Sequence, residues 1–526
     1  MFNRKVSIIL SLLLVLVMLG ACASPPATAP TQAPAEEEQV PAEQVTEAPP
    51  AKPEEQTLIV GVGHELETLD PARAYNPFST MVNRATYNAL LTFAPGDISE
   101  LEPDLAESWD ISPDGLVYTF TLRNGVTFQS GNPLTSQDVK WSWERVQGIQ
   151  GNPSFLFENI ASIETADDRT VVLTLTDPDP AIMTKLTDMA FAVLDSEEVK
   201  AHGGVSGPDA AAQDTAQEWL DQHSAGTGPF RLVEWKLESE ITLEKWADSW
   251  RGEAGVDRVI FKHLPQTATR KLELEAGDID IGLGLSAEQA QSLESNPDIE
   301  IVTGPGLETF FLLANQNPEL SDGVMSDQRV VDALRYAVDY EGVKVLAGFA
   351  AMTSPTSIPI GLFAAWDESK ALSRDVEKAQ QLLTEAGYPD GVDVTLRYPT
   401  EFSTSGVDFD IVAEKIQADL TEAGFNVTLQ PEELMANLEQ YRAGNLAFTF
   451  WAWLPDYPDI NVFLEFLPGG IVANRAQWTE DQVPERILEL RDQARTETDP
   501  QKRVEIWNEL QEFLLNEGPF VNIVQA

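Results

Sequence analysis

The ten residues WAWLPDYPDI, Trp451 to Ile460, gather two tryptophans, a tyrosine and two aspartates that each follow a proline. Flat aromatic faces accept many apolar groups without specific polar demands, and carboxylates attract cations and hydrogen-bond donors. This is chemistry for holding a solute. Chemistry for breaking bonds is harder to find. The four histidines, His64, His202, His223 and His263, are scattered along the chain without an HExxH pair, so they read as surface or packing residues rather than metal ligands. No GxSxG elbow occurs; GGVSGPD at Gly203 has the wrong spacing and reads as a loop. GLGL at Gly282 lacks the third glycine and the helix-opening context of a dinucleotide loop, and no Walker loop is present. Carboxylates are too plentiful for a catalytic pair to be picked out. No cofactor, metal site or catalytic residue is expected, and an extracellular hydrolase stands only as the default enzyme alternative.

Elements of both kinds must position these residues. TLIVGVG (Thr57–Gly63) is a β-branched run ending in glycine, and VYTFTL (Val117–Leu122) and TVVLTLT (Thr170–Thr176) alternate at period two, so all three read as strands. DQRVVDALRYAVDYEGV opens on the N-cap type residue Asp327 and places Val330, Leu334, Ala337 and Val338 on one helical face. Two further helices are predicted to end at Gly387 and Gly424, each glycine supplying a left-handed cap. Strands alternating with helices indicate a mixed α/β fold. With 526 residues, the chain exceeds the roughly 250–300 at which one core stops growing, so two or more domains are expected. Its net charge of -51 excludes nucleic acid as a partner, because a phosphate backbone demands clustered Lys and Arg. Acidic solvated faces of this kind keep a protein soluble and monomeric.

The only cysteine, Cys22, rules out an intramolecular disulfide, a CxxC pair and a thiolate metal cluster. It follows MFNRKVSIILSLLLVLVMLGAC, in which Arg4 and Lys5 precede an apolar run from Val6 to Leu19. As a helix that run would span about 20 Å, short of a bilayer core of about 30 Å, so residues 1–21 read as a signal peptide. LGAC, Leu19 to Cys22, resembles a bacterial lipobox, which implies cleavage before Cys22 and lipidation of its thiol. An uncleaved anchor helix and cleavage by the ordinary signal peptidase are the alternatives, and each also places the body outside the cytoplasm. Residues 22–56 then form a lipid-attachment cysteine and a Pro, Ala and Glu-rich tether that cannot bury enough apolar surface to order itself. As a flexible coil it would span roughly 30–35 Å.

From Thr57 to the C-terminus the chain resembles the family-5 extracellular solute-binding proteins, the oligopeptide, dipeptide and nickel receptors of ABC importers. The resemblance rests on motifs in order: LDPARAYNPFSTMVNRATYNALLTF (Leu69–Phe93), LEPDLAESWDISPDGLVYTFTLRNGVTFQSGNPLTSQDVKWSWERV (Leu101–Val146), GTGPFRLVEWKLESEITLEKWADSWRG (Gly226–Gly252), GDIDI (Gly277–Ile281), ALRYAVDYEGV (Ala333–Val343), LLTEAGYPDG (Leu382–Gly391) and WLPDYPD (Trp453–Asp459). It implies a two-lobe periplasmic-binding-protein-like fold of type II, with residues 57–305 as the first lobe, an extra subdomain at about 97–215, and 306–526 as a hinge crossing and second lobe. Relatives continue past a motif like GPFVNIVQA into a segment that returns to the first lobe. This sequence stops at Ala526, so that segment is expected to be missing.

The resemblance also implies a role for the opening stretch. In peptide-binding members the aspartate matched by Asp456 holds the ligand's α-amino group, and the tryptophan matched by Trp453 lines side-chain pockets. Tyr457 and Trp451 are taken as ligand contacts with them, core or hinge packing being the alternative for the aromatic residues. Glu65 and Leu66 match a first-lobe segment whose backbone pairs with bound peptide. Peptide receptors often place a cation against the ligand's C-terminal carboxylate from the segment matched by Tyr398–Glu414, but here that segment has no Lys, Arg or His. A dipeptide-type carboxylate clamp is therefore not expected; longer peptides or neutral oligosaccharides stay open. The expected protein is a receptor lipid-anchored to the bacterial cell membrane that passes peptides or other small solutes to ABC permease subunits.

Overall fold

Three sheets carry the body of the chain. The computed structural model describes residues 55–63, 66–304, 306–348 and 350–526; the expected signal peptide, Cys22, the expected tether up to residue 54 and Glu65 lie outside the described residues. The first sheet has the order Ile281–Gly282, Thr57–Val62, Arg258–His263, Glu240–Lys245, Phe230–Lys236. Thr57–Val62 pairs in parallel with Arg258–His263 on one side and with Ile281–Gly282 on the other, and Glu240–Lys245 and Phe230–Lys236 continue the sheet as an antiparallel hairpin. Alternation along these strands turns Val60, Val62, Ile241, Leu243, Val259 and Phe261 into one core with Phe78 and Val82 of the helix Pro77–Thr86. That helix starts where it does because the Asn76 side chain caps the Ser79 N–H at 2.7 Å and Pro77 occupies the first turn. Its far end is approached closely by the GTGP loop: a Cβ on Gly228 would lie 2.6 Å from the Ala85 carbonyl oxygen, which only glycine avoids.

A four-stranded antiparallel sheet, Ala106–Ile111, Val117–Leu122, Thr170–Leu175 and Ile160–Asp167, packs with the helix Ser136–Ile149 within the span expected for the extra subdomain. Its core includes Phe120, Trp143, Val171, Leu173 and Phe191. The third sheet has the order Phe425–Glu432, Val392–Pro399, Phe448–Trp453, Thr309–Ala314, Phe520–Gln525, all from the part of the chain expected to form the second lobe. Every residue of Thr309–Ala314 is buried, as an apolar strand flanked by two antiparallel neighbours requires.

Several local expectations agree with the structure. Val117–Leu122 is a strand over the expected span, and Gly387 (φ +101°) and Gly424 (φ +102°) stand in the left-handed region just after helices Val376–Ala386 and Phe409–Glu422. The run from Asp327 differs. It folds as two helices, Gln328–Ala337 and Tyr340–Ala347, because Val338 is extended and Asp339 caps a new helix through the Gly342 N–H at 3.2 Å. The apolar period runs across the break, and the cap inside it decides the boundary.

Candidate functional site

The strand Phe448–Trp453 ends in Leu454, Pro455, Asp456, Tyr457 and Pro458, and the two prolines prevent the ladder from continuing. The loop they create leaves the sheet and meets the N-terminal segment that carries Tyr75. There the Tyr75 hydroxyl donates to Asp456 Oδ1, joining positions 381 residues apart. The other carboxylate oxygen, Oδ2, has no donor, and no Lys or Arg pairs with Asp456, among the described residues. Burial raises the Asp456 carboxyl above its ordinary range; the Tyr75 hydrogen bond and the more distant Arg475 charge pull it down, while the nearby charges of Glu465 and Asp188 push it up. The Tyr75 phenol is likewise raised, by burial first and then by Asp456.

The second aspartate of the motif has a different fate. Asp459 is buried, bonds to Arg503 at 2.6 Å and caps the helical turn Ile460–Phe466 through the Asn461 N–H at 2.9 Å. Its charge is matched within the second lobe, so of the two carboxylates Asp456 alone is left for a ligand.

The aromatic residues separate in the same way. Trp453 is half-buried, its ring edge-on to Phe463 and Phe466 at 5.1 and 5.2 Å, at the edge where the strand opens into the loop. Tyr457 is packed against the cores of both the second lobe and the extra subdomain, with Lys185 Nζ 4.9 Å from its ring centroid and itself bonded to Asp179 at 2.7 Å. Trp451, expected as a ligand contact, is instead a core residue. It is 7% exposed and sits among Phe402, Phe409 and Tyr441, because the helix Phe409–Glu422 covers the sheet at that point.

Leu66 borders a cavity of about 160 Å³ with Phe78, Trp235, Ile241, Phe261 and His263. His263 Nε2 is buried there without a hydrogen-bond partner. Glu65 lies outside the described residues.

Tyr75 was not singled out by sequence reasoning, although it stands in the quoted motif LDPARAYNPF. The loop carrying it is held by a buried charge network. Arg145, 1% exposed, bonds both oxygens of Asp70 at 2.7 Å and both oxygens of Asp214 at 2.8 and 2.9 Å. Arg73 bonds the same two carboxylates, and Asp70 caps its own turn through the Ala72 N–H. Two guanidinium groups against two carboxylates leave no net charge, so the network fixes the loop without creating a second anionic site.

The histidines are less scattered than their spacing suggests. His202 and His223 both stack on one ring, Trp219, at 4.2 and 4.8 Å. No group of three metal-ligating side chains occurs among the described residues.

A largely buried carboxylate beside a half-buried tryptophan is suited to holding a solute. The chain belongs to the bacterial extracellular solute-binding proteins, family 5: the family description "Bacterial extracellular solute-binding proteins, family 5 Middle" matches residues 100–471. It is 27% identical over 480 residues to heme-binding protein A of Haemophilus influenzae, covering 86% of this chain and 83% of that one. To the probable D,D-dipeptide-binding periplasmic protein DdpA of Escherichia coli it is 25% identical over 482 residues, covering 89% and 88%. Among solved structures, the periplasmic binding protein DppA of Helicobacter pylori in complex with the peptide STSA superposes with a TM-score of 0.71 at 26% identity, covering 89% of this chain and 92% of that one. The fold is thus the two-lobed periplasmic-binding-protein fold with an extra subdomain.

Proposed function

We propose that this protein is the lipid-anchored receptor of an ABC importer and that it captures peptides by their α-amino group. Asp456 carries the reading: a carboxylate withdrawn from water at the junction of the lobes, with one oxygen on Tyr75 and the other unpaired among the described residues. An ammonium group placed there forms a charge-assisted hydrogen bond and relieves the repulsion from Glu465 and Asp188. Trp453 supplies an apolar wall beside it, and the cavity at Leu66 has room for a side chain. Because Asp456 and Tyr75 come from different lobes, a ligand touching both favours the arrangement in which they meet, which is how binding would select the closed receptor. Relatives of this chain are named for peptide and for non-peptide solutes, so the amine contact is the feature to test.

Calorimetric titration with one peptide in its free and N-acetylated forms tests it. The free peptide should bind, and acetylation, which removes the positive charge, should weaken binding by roughly 2–5 kcal/mol, the range for truncating one side of a buried charge pair. Equal affinity for the two forms would remove Asp456 from the site. Delivery to a permease and anchoring through Cys22 complete the reading: a lipid at Cys22 would hold the receptor at the membrane surface, and mass measurement of the mature N-terminus checks it.

A further inference from the structure

Glu308 immediately precedes the strand Thr309–Ala314, and Thr309 is paired across the sheet with Trp453. The strands are antiparallel, so Glu308 enters the sheet at the edge where Trp453 leaves it. Three residues span at most about 10 Å and neighbouring strands lie about 4.8 Å apart, which keeps Glu308 and Asp456 within about 20 Å of each other, the reach of a short peptide.

The surroundings of Glu308 are unusual for a carboxyl. It is 9% exposed, and its Oε2 accepts from the Thr404 hydroxyl at 2.9 Å and the Ser405 hydroxyl at 2.6 Å. Both hydroxyls sit on the turn of a small hairpin, Ser403–Thr404 with Val407–Asp408, where Ser405 and Gly406 have φ of +46° and +80°. That turn reaches the first lobe: a Cβ on Gly406 would lie 3.6 Å from the Leu285 carbonyl oxygen. Glu308 is therefore positioned where the lobes come together. Among the described residues its Oε1 receives no hydrogen bond and no Lys or Arg pairs with it, and the whole segment Tyr398–Glu414 contains no basic side chain. Burial raises its carboxyl above the ordinary range, the two hydroxyls opposing. Ionised and without a cation, such a group is costly, and a ligand that brings the cation removes the cost.

We infer that Glu308 is a second specificity determinant of the cleft, taking an ammonium or guanidinium side chain of the bound peptide. The inference rests on the peptide reading above and extends it: a receptor with anionic acceptors at two places along one cleft edge selects peptides that carry a basic side chain besides the α-amine.

Calorimetry on the full chain tests this with short peptides containing lysine and the same peptides containing norleucine, which keeps the apolar stem and lacks the charge. The lysine peptides should bind at least tenfold more tightly. In Glu308→Gln, whose amide oxygen can still accept from Thr404 and Ser405, that ratio should collapse towards one. Three results overturn the inference. A wild-type ratio near one, with binding still lost on N-acetylation, removes Glu308's role and leaves Asp456 in place. A ratio that survives in Glu308→Gln while the melting temperature falls assigns Glu308 to holding the hairpin. Absence of binding to every peptide overturns the peptide reading and this inference together.

Discussion

A carboxyl such as Asp456 serves an amine only when it is ionised, and its surroundings oppose ionisation. Burial is the main cause, and Glu465 and Asp188 add to it. Two consequences of opposite sign follow. For the empty receptor, a folded-state pKa above the unfolded one means that this group's contribution to stability is present below the ordinary carboxylate range and is lost as pH rises through the raised value. For binding, the ammonium pairs with the ionised form, so affinity rises with pH across the same window. Titration of an amine-bearing peptide between about pH 4 and pH 7 should show tighter binding at the upper end. Asp456→Asn should bind more weakly and show a flattened profile; a slope that persists in the variant would assign it to another group. At this scale WLPDYPD marks Asp456 as a candidate contact, but its hydrogen-bond partner is not legible, because nothing local marks Tyr75 as facing a residue 381 positions away. The two tryptophans show a similar limit. They share one side of a period-two pattern, and only the helix Phe409–Glu422 packing over the first of them separates Trp451 from Trp453. Glu308 left as its sole trace an acid at the head of a fully apolar run, GLETFFLLA.

Among elements, the loop that presents Tyr75 depends on the helix Ser136–Ile149, from which Arg145 reaches Asp70 and Asp214. Removing one partner of a buried charge cluster leaves the rest uncompensated, so Arg145→Met should lower unfolding stability by roughly 3–5 kcal/mol in urea titrations, with Arg73 as partial compensation. Asp214 gives a pH signature that can be checked alongside. Burial acts to raise its carboxyl, but the hydrogen bonds and charge of Arg145 outweigh this and hold it below the usual range. Its contribution to stability is therefore full above the ordinary carboxylate pKa and lost as pH falls through the lowered one. The acid limb of the stability curve should flatten in Arg145→Met; an unchanged limb with unchanged stability would mean that the loop is held by other contacts. Helices and strands themselves were largely legible, because caps and periods are local: Asp375 and Gly387 bracket one helix, and Val117–Leu122 alternates cleanly. The Asp70, Arg145 and Asp214 cluster was not, since it joins residues 75 and 69 positions apart whose charges look like any others in so acidic a chain.

Over the whole molecule the same acidity becomes a field. If Asp456 and Glu308 receive a peptide as proposed, a cationic peptide approaching a chain of net charge -51 is attracted before any contact is made. Such steering raises association rates by about 10–1000-fold and disappears as salt screens it. The Debye length falls from about 30 Å at 0.01 M salt to about 8 Å at 0.15 M, shorter than the separation over which the surface acts as a whole but longer than the contact to Asp456. Salt should therefore act mainly on association and much less on dissociation, because a buried pair is screened far less than an approaching one. Stopped-flow measurements with a lysine-containing peptide and its norleucine counterpart should show association of the first slowing by roughly tenfold or more across that range of salt, and that of the second changing little. Equal salt slopes for the two peptides would mean that the acidic faces serve solubility alone and that selection for basic peptides, if present, is made at Glu308 after contact.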